Sequence, residues 1–241
     1  MKIQSVSILA LSAFVFGLAS TPAWANDDEA IAREMTVLLK SSRAVLVQNK
    51  PLIKNPTGAG IDVKKFMGFT FANYEKATGK KYVKGAGAMG DAQGKLVQAI
   101  EEVVGEVTSG KDKALDPKGR FLPAIFARKA AARLGKVSGG KIYLKLTTRD
   151  GYLINAANKA DAWEKSVIEG KFLGAGWEKG KTHAEMATHN GKKAFRLILP
   201  EYFKGGCMGC HGGDNGAKVH PNKKPGKEGE LGGAISVALY K

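Results

Sequence analysis

The chain has 241 residues, with 38 Lys and Arg against 22 Asp and Glu, a formal net charge of +16 and two cysteines. That length suits one large domain or two small ones, with enough chain for a real core. Beyond the N-terminus no stretch is long and apolar enough to span a bilayer, and lysine is spread over the whole chain rather than gathered in one arm, which argues against a nucleic-acid binder.

The first 25 residues read as a secretion signal. Lys2 supplies the positive start, Val6 to Leu18 is an apolar run, and Ala23-Trp24-Ala25 is a small-x-small cleavage site, so the mature chain is expected to begin at Asn26. A membrane anchor is the alternative. It needs roughly 20 apolar residues, whereas this run is shorter and ends in Pro22. Cleavage removes only Lys2 among charged residues, so the exported protein stays strongly basic. Such charge suits an acidic redox partner, an anionic membrane surface or a membrane signalling protein, or else merely keeps the surface solvated.

Helical spacing dominates the first half. Asn26-Asp27-Asp28-Glu29 places acids at a helix start, and Ile31, Met35, Leu38, Leu39, Ser42 and Val45 follow on one face to about Asn49, where Pro51 should stop the helix. Asp62 should cap a second helix with Val63, Phe66, Met67, Thr70 and Tyr74 on its apolar face, closed by Gly79. Gly85 to Gly90 reads as a break. A third helix should start near Asp91 and carry Leu96, Ile100, Val103, Val104 and Val107. A fourth opens near Phe121 with Pro123 in its first turn. The helix pairs can be laid on one another, Phe66 on Phe121 and Phe71 on Phe126, a pattern that a duplication or two generic amphipathic helices would both produce.

After Gly139-Gly140 the period changes. Lys141 to Thr148, Lys181 to Thr188, Lys192 to Leu199 and Gly233 to Tyr240 read as strands, with Pro200 closing the third and a short helix at Asp161-Ala162-Trp163-Glu164. Helices first and strands later predict an α+β fold with an antiparallel sheet in the C-terminal half. Residues 212–230, rich in Gly, Lys and Pro, read as a flexible surface loop.

Both cysteines fall in Cys207-Met208-Gly209-Cys210-His211. Two thiols three apart can form thioethers with the two vinyl groups of haem, and the next residue, histidine, is then held against the iron as an axial ligand. One covalent haem c is therefore expected, with Cys207, Cys210 and His211 as cofactor residues and His211 as the iron ligand. A disulfide, a thiol-exchange motif and a zinc knuckle are the alternatives. The exchange motif wants a thioredoxin-like strand-to-helix setting, and a zinc site wants four ligands, for which Cys207, Cys210, His211 and His220 are irregularly spaced. The sixth iron position is either open or taken by His183, His189, His220 or Met67; Met35, Met89, Met186 and Met208 are weaker candidates. Arg196, a charge between apolar strand neighbours, is a candidate partner for a haem propionate, or else faces solvent from the sheet.

Several segments together resemble the periplasmic PAS-like c-haem sensor domains, which stand alone or fused to histidine kinases. They are Asp161-Ala162-Trp163-Glu164, Ala194 to Tyr202, Cys207 to Gly213 and Lys227 to Ser236, with Leu52 to Pro56, Tyr74 to Gly79 and Pro123 to Arg128 in the helical half. The resemblance covers nearly all of the expected mature chain. It implies a helical region over 26–137, a PAS-like haem-binding sheet over 138–241, and a sensing or electron-transfer role. Some members of that family ligate iron with a cysteine from the helical half. Here no third cysteine exists, and Leu122 to Ala130 offers no ordinary haem ligand, so a vacant distal site facing Phe126 and its neighbours stands beside His or Met ligation as a reading of the sixth position. The functional readings are an exported sensor of redox state or a small gas, and a periplasmic one-electron carrier. A four-helix gas-binding cytochrome would want a helix after the motif. An enzyme would want distal acid–base groups, which the sequence does not single out, so no enzymatic activity is expected.

Overall fold

A computed structural model describes residues 23–112, 116 and 118–240. The expected secretion signal lies outside the described residues except for residues 23–25, where the first helix begins. Among the described residues no helix is long and apolar enough to cross a membrane.

Helix α1 (Ala23–Gln48) buries Ile31, Met35, Leu38, Leu39, Ser42, Val45 and Leu46, the stripe its sequence spacing foretells. Pro51 does not end the helical stretch. Asn49 interrupts it, and α2 (Lys50–Lys54) restarts with Pro51 in its first turn, where an amide hydrogen has no partner to lose. Helix α3 (Val63–Thr78) follows its signals: the Asp62 carboxylate accepts from the Lys65 amide at 2.8 Å, and Gly79 closes it at φ 71°. Helix α4 (Gly87–Thr108) starts four residues before Asp91, inside the expected break. The glycines there permit close approach rather than a gap, since a Cβ on Gly90 would lie 1.8 Å from the Gly85 carbonyl oxygen. The Gln93 side chain accepts from the Gly85 amide at 2.6 Å and fixes that turn. Helix α5 (Pro123–Val137) opens on Pro123 as expected.

The strands β1 (Ile142–Thr147), β2 (His183–His189), β3 (Lys192–Tyr202) and β4 (Leu231–Tyr240) form one antiparallel sheet in the order β1-β4-β3-β2. The protein is thus α+β, with helices first and sheet later. Pro200 does not close β3, which runs on to Tyr202. Pairing with β2 ends at Ile198, so Pro200 sits where β3 has one open edge, the setting in which a strand tolerates proline.

Side-chain alternation separates the two faces of the sheet. Phe195, Leu197, Ile235, Val237, Leu239, Ile142 and Leu144 join the helices in one large core. The opposite face carries Ile198 and Ala234, covered by α6 (Ala162–Val167) and the π turn Ile168–Phe172 that continues it. On that face Arg196 lies beside Ala238 in register, and the small residues of β4 leave room for it.

Arg196 is only 1% exposed and Glu164 not at all. The Arg196 guanidinium donates to Asp161 at 2.6 Å, lies 3.5 Å from Glu164 and stands 4.1 Å over the Trp163 ring. Glu164 also accepts from the Thr147 hydroxyl and the Asp161 amide, both at 3.0 Å, and pairs with Lys145 at 2.8 Å. Two cations therefore face two carboxylates, and the Asp161–Glu164 capping box makes the same carboxylates start α6. Removing one partner strands a buried charge. Arg196→Ala is expected to lower unfolding stability by about 3 kcal/mol, seen as an earlier urea midpoint. An unchanged midpoint would show that the network does not hold α6 to the sheet.

Candidate haem-attachment site

The cysteine motif lies in the connection from β3 to β4, the two central strands. Phe203 anchors its start, donating from its amide to the Glu230 carbonyl at 2.9 Å and setting its ring against Tyr152 and His211, with centroids 5.2 and 5.4 Å away. The connection can close over this ring because Gly226 and Gly232 face it; a Cβ there would approach its carbons to 2.5 and 2.8 Å.

Two short helices follow, the second of them inside the segment 212–230 that its composition assigns to loop. Helix α7 (Gly205–His211) holds the whole motif and α8 (Gly213–Val219) follows at once. Gly212 has extended backbone between them, and Gly216 lies so close to His211 that a Cβ would meet its carbonyl oxygen at 2.5 Å. Glycine here serves tight packing between backbones, which composition alone does not distinguish from flexibility. The start of α7 is seated on α1: a Cβ on Gly206 would lie 2.9 Å from Val47, and Arg43 of α1 pairs with Glu201 at 2.5 Å.

In a helix, residues three apart share a face, so α7 presents Cys207 and Cys210 together with His211 beside them. Both thiols are free, Cys207 half-buried and Cys210 exposed. Burial, and then the neighbouring His220, hold the His211 imidazole below the usual histidine range, leaving a neutral ring with a nitrogen lone pair at neutral pH. The His220 ring lies 5.8 Å from that of His211, at 30° to it. Arg120, paired with Asp116 at 2.6 Å, is close enough for its charge to act on both Cys210 and His220. Nothing local in the sequence marks Arg120, which arrives by tertiary folding.

The other sequence candidates are placed elsewhere. Arg196 is six residues before the end of β3, about 20 Å along the strand, and its guanidinium is held by Asp161 and Glu164. It does not face solvent, and its charge is already paired within the sheet. His189 is buried at the far end of β2, bonded to the Tyr240 hydroxyl, with its ring tilted against that of Tyr143 at 4.4 Å between centroids. His183 sits near Trp163 and Trp177 on the α6 side. Met67 and Met35 are core residues of the helical layer. Phe126 lines no open distal site; its ring packs on Phe66 and Phe121 at 5.6 and 5.9 Å, wholly buried. Among the described residues no three His, Cys, Asp or Glu side chains gather as a metal site, so the four-ligand zinc arrangement is not assembled.

The fold and site define an α+β protein that presents a thiol-thiol-imidazole helix from between its two central strands. A profile of Tll0287-like proteins matches residues 30–239, and the chain belongs to that Tll0287-like family. The crystal structure of the cyanobacterial haem protein Tll0287 aligns over 65% of this chain and 98% of its own, at 15% identity and a TM-score of 0.41. Comparison with curated proteins gives no match.

The connection carries its own pH dependence. The Lys224 ammonium, at 2.7 Å, and then the nearby Tyr152 phenol pull the Glu230 carboxyl down to about 2 from an ordinary 4.5. A depressed carboxylate adds stability that is fully present above the unfolded value and is lost as pH falls through the folded one. The thermal midpoint should therefore decline between pH 4.5 and about 2, and Glu230→Gln should flatten part of that decline. An identical acid profile in the variant would remove Glu230 from the account.

Proposed function

We propose that this chain is an exported mono-haem c-type cytochrome acting as a sensor of redox state or of a small gas. The observation that carries the reading is the donor set of α7: two free thiols one helical turn apart, with a half-buried imidazole next to the second. The chemistry fits haem. Cys207 and Cys210 would form the two thioethers, and His211 would supply the axial nitrogen. Bound haem would supply a one-electron iron couple and a position for a diatomic ligand. Membership of the family named after Tll0287, a cyanobacterial haem protein, supports the same cofactor.

The protein's own groups explain how such a site would be held and read. Phe203 packs against the His211 ring, and the Gly226 amide donates to the His211 carbonyl at 2.6 Å, so both the ring and the backbone of the ligand are held. Movement of α7 would be felt by α1 through Gly206 against Val47, next to the end of β3 where Glu201 holds Arg43 of α1. That linkage favours a sensor, whose haem state must alter a distant surface. We read the sheet as PAS-like and the location as the periplasm, following the leader, with a membrane signalling protein as the receiver. One-electron transfer to an acidic partner is the second reading, favoured by the exposed Lys204, Lys218 and Lys227 around the motif.

Expression with its leader in a host that matures c-type cytochromes is expected to give periplasmic protein whose haem stays bound on a denaturing gel. Its alkaline pyridine spectrum should be that of two thioethers, and Cys207→Ser with Cys210→Ser should lose bound haem. Haem that dissociates on denaturation, or persists in the double variant, would overturn the covalent reading. A redox-dependent change in amide exchange along α1 would support sensing; identical exchange in both states would favour the carrier.

A further inference from the structure

Within the haem reading, which it rests on, we infer that His220 is the second axial ligand of the iron. A metal–imidazole bond is about 2 Å long, so two imidazoles on opposite sides of one metal would have ring centres about 6 Å apart. The His211 and His220 rings are 5.8 Å apart. None of the other candidates offers this: His183 and His189 are engaged on the sheet, and Met67 lies in the helical core.

The local backbone is built to bring these rings together. Gly212 and Gly216 let α8 fold directly back on α7, where a Cβ would collide with Met208 sulfur at 2.8 Å or with the His211 carbonyl oxygen at 2.5 Å. Gly213, at φ 46°, takes a turn conformation that other residues rarely adopt. His220 then caps α8, its amide donating to the Gly216 carbonyl at 2.8 Å. A gas would then have to displace a histidine carried on a short helix next to the attachment site, which couples ligand binding to movement of α8.

The test is the optical and electron-paramagnetic spectrum of the haem-loaded protein and its variants, with covalent attachment scored separately on denaturing gels. The wild type should be six-coordinate and low-spin in both oxidation states. His220→Ala should keep its covalent haem, become high-spin, bind carbon monoxide when reduced, and return to low-spin with added imidazole. His220→Met should stay six-coordinate with a higher potential, since Met/His ligation raises it. His183→Ala and His189→Ala should match the wild type. Gly216→Val, which pushes α8 from His211, should weaken low-spin character with His220 intact. Attached haem that is high-spin in the wild type, or unchanged in His220→Ala, would overturn the ligand assignment alone. Loss of covalent haem from the wild type would overturn the haem reading and this inference with it.

Discussion

The site depends on the pairing of β3 with β4. Residues 203–230 leave the sheet at one central strand and return at its neighbour, so both ends of the motif segment are fixed by the same ladder, with Pro200 opposite Ala234 and Tyr202 opposite Leu231. Backbone bonds then close the segment on itself. The Phe203 amide reaches the Glu230 carbonyl, and the Gly226 amide reaches that of His211. Short helices of seven residues have little stability of their own. Here they hold because their ends are tied and because glycine lets backbone pack on backbone. A covalent cofactor attached to such a segment would inherit a defined position against Phe203 and His220.

The two faces of the sheet divide the labour. The helical face joins α1, α4 and α5 to the strands in one apolar core, and α1 also touches the start of α7 through Val47. The other face holds a compensated ionic cluster of Arg196, Asp161, Glu164 and Lys145, with Trp163 stacked on the guanidinium. Such a cluster gives modest net stability but strict geometry, because each charge penalises any arrangement that leaves it unpaired. It secures α6, and with it the second wall of the sheet, without taking part in the motif.

Much of this was legible in the sequence where the signal is local. Asp62 and Gly79 bound α3 because capping and left-handed closure depend on single residues, and the strands show in their alternation. The thiol and imidazole spacing is itself local, so the motif is legible as chemistry. Glycine and proline misled, because they serve several conformations: Pro51 opens a helix, Gly87 starts one, and the glycines after His211 pack two helices together. The partners of Arg196 were hidden for a different reason. Asp161 is 35 residues away and meets it only through the sheet, so a strand charge read in isolation suggests a ligand rather than an internal ion pair. The approach of Arg120 to Cys210, and of His220 to His211, is tertiary in the same sense.

The central claim, that α7 carries one haem through Cys207 and Cys210, is tested most directly by intact mass spectrometry of the denatured protein after expression in a host that matures c-type cytochromes. The account predicts a mature chain starting at Asn26 that is heavier by the mass of one haem, with the addition localised by peptide mapping to the segment containing both cysteines. A mass equal to that of the bare polypeptide, or an addition at any other residue, would contradict it.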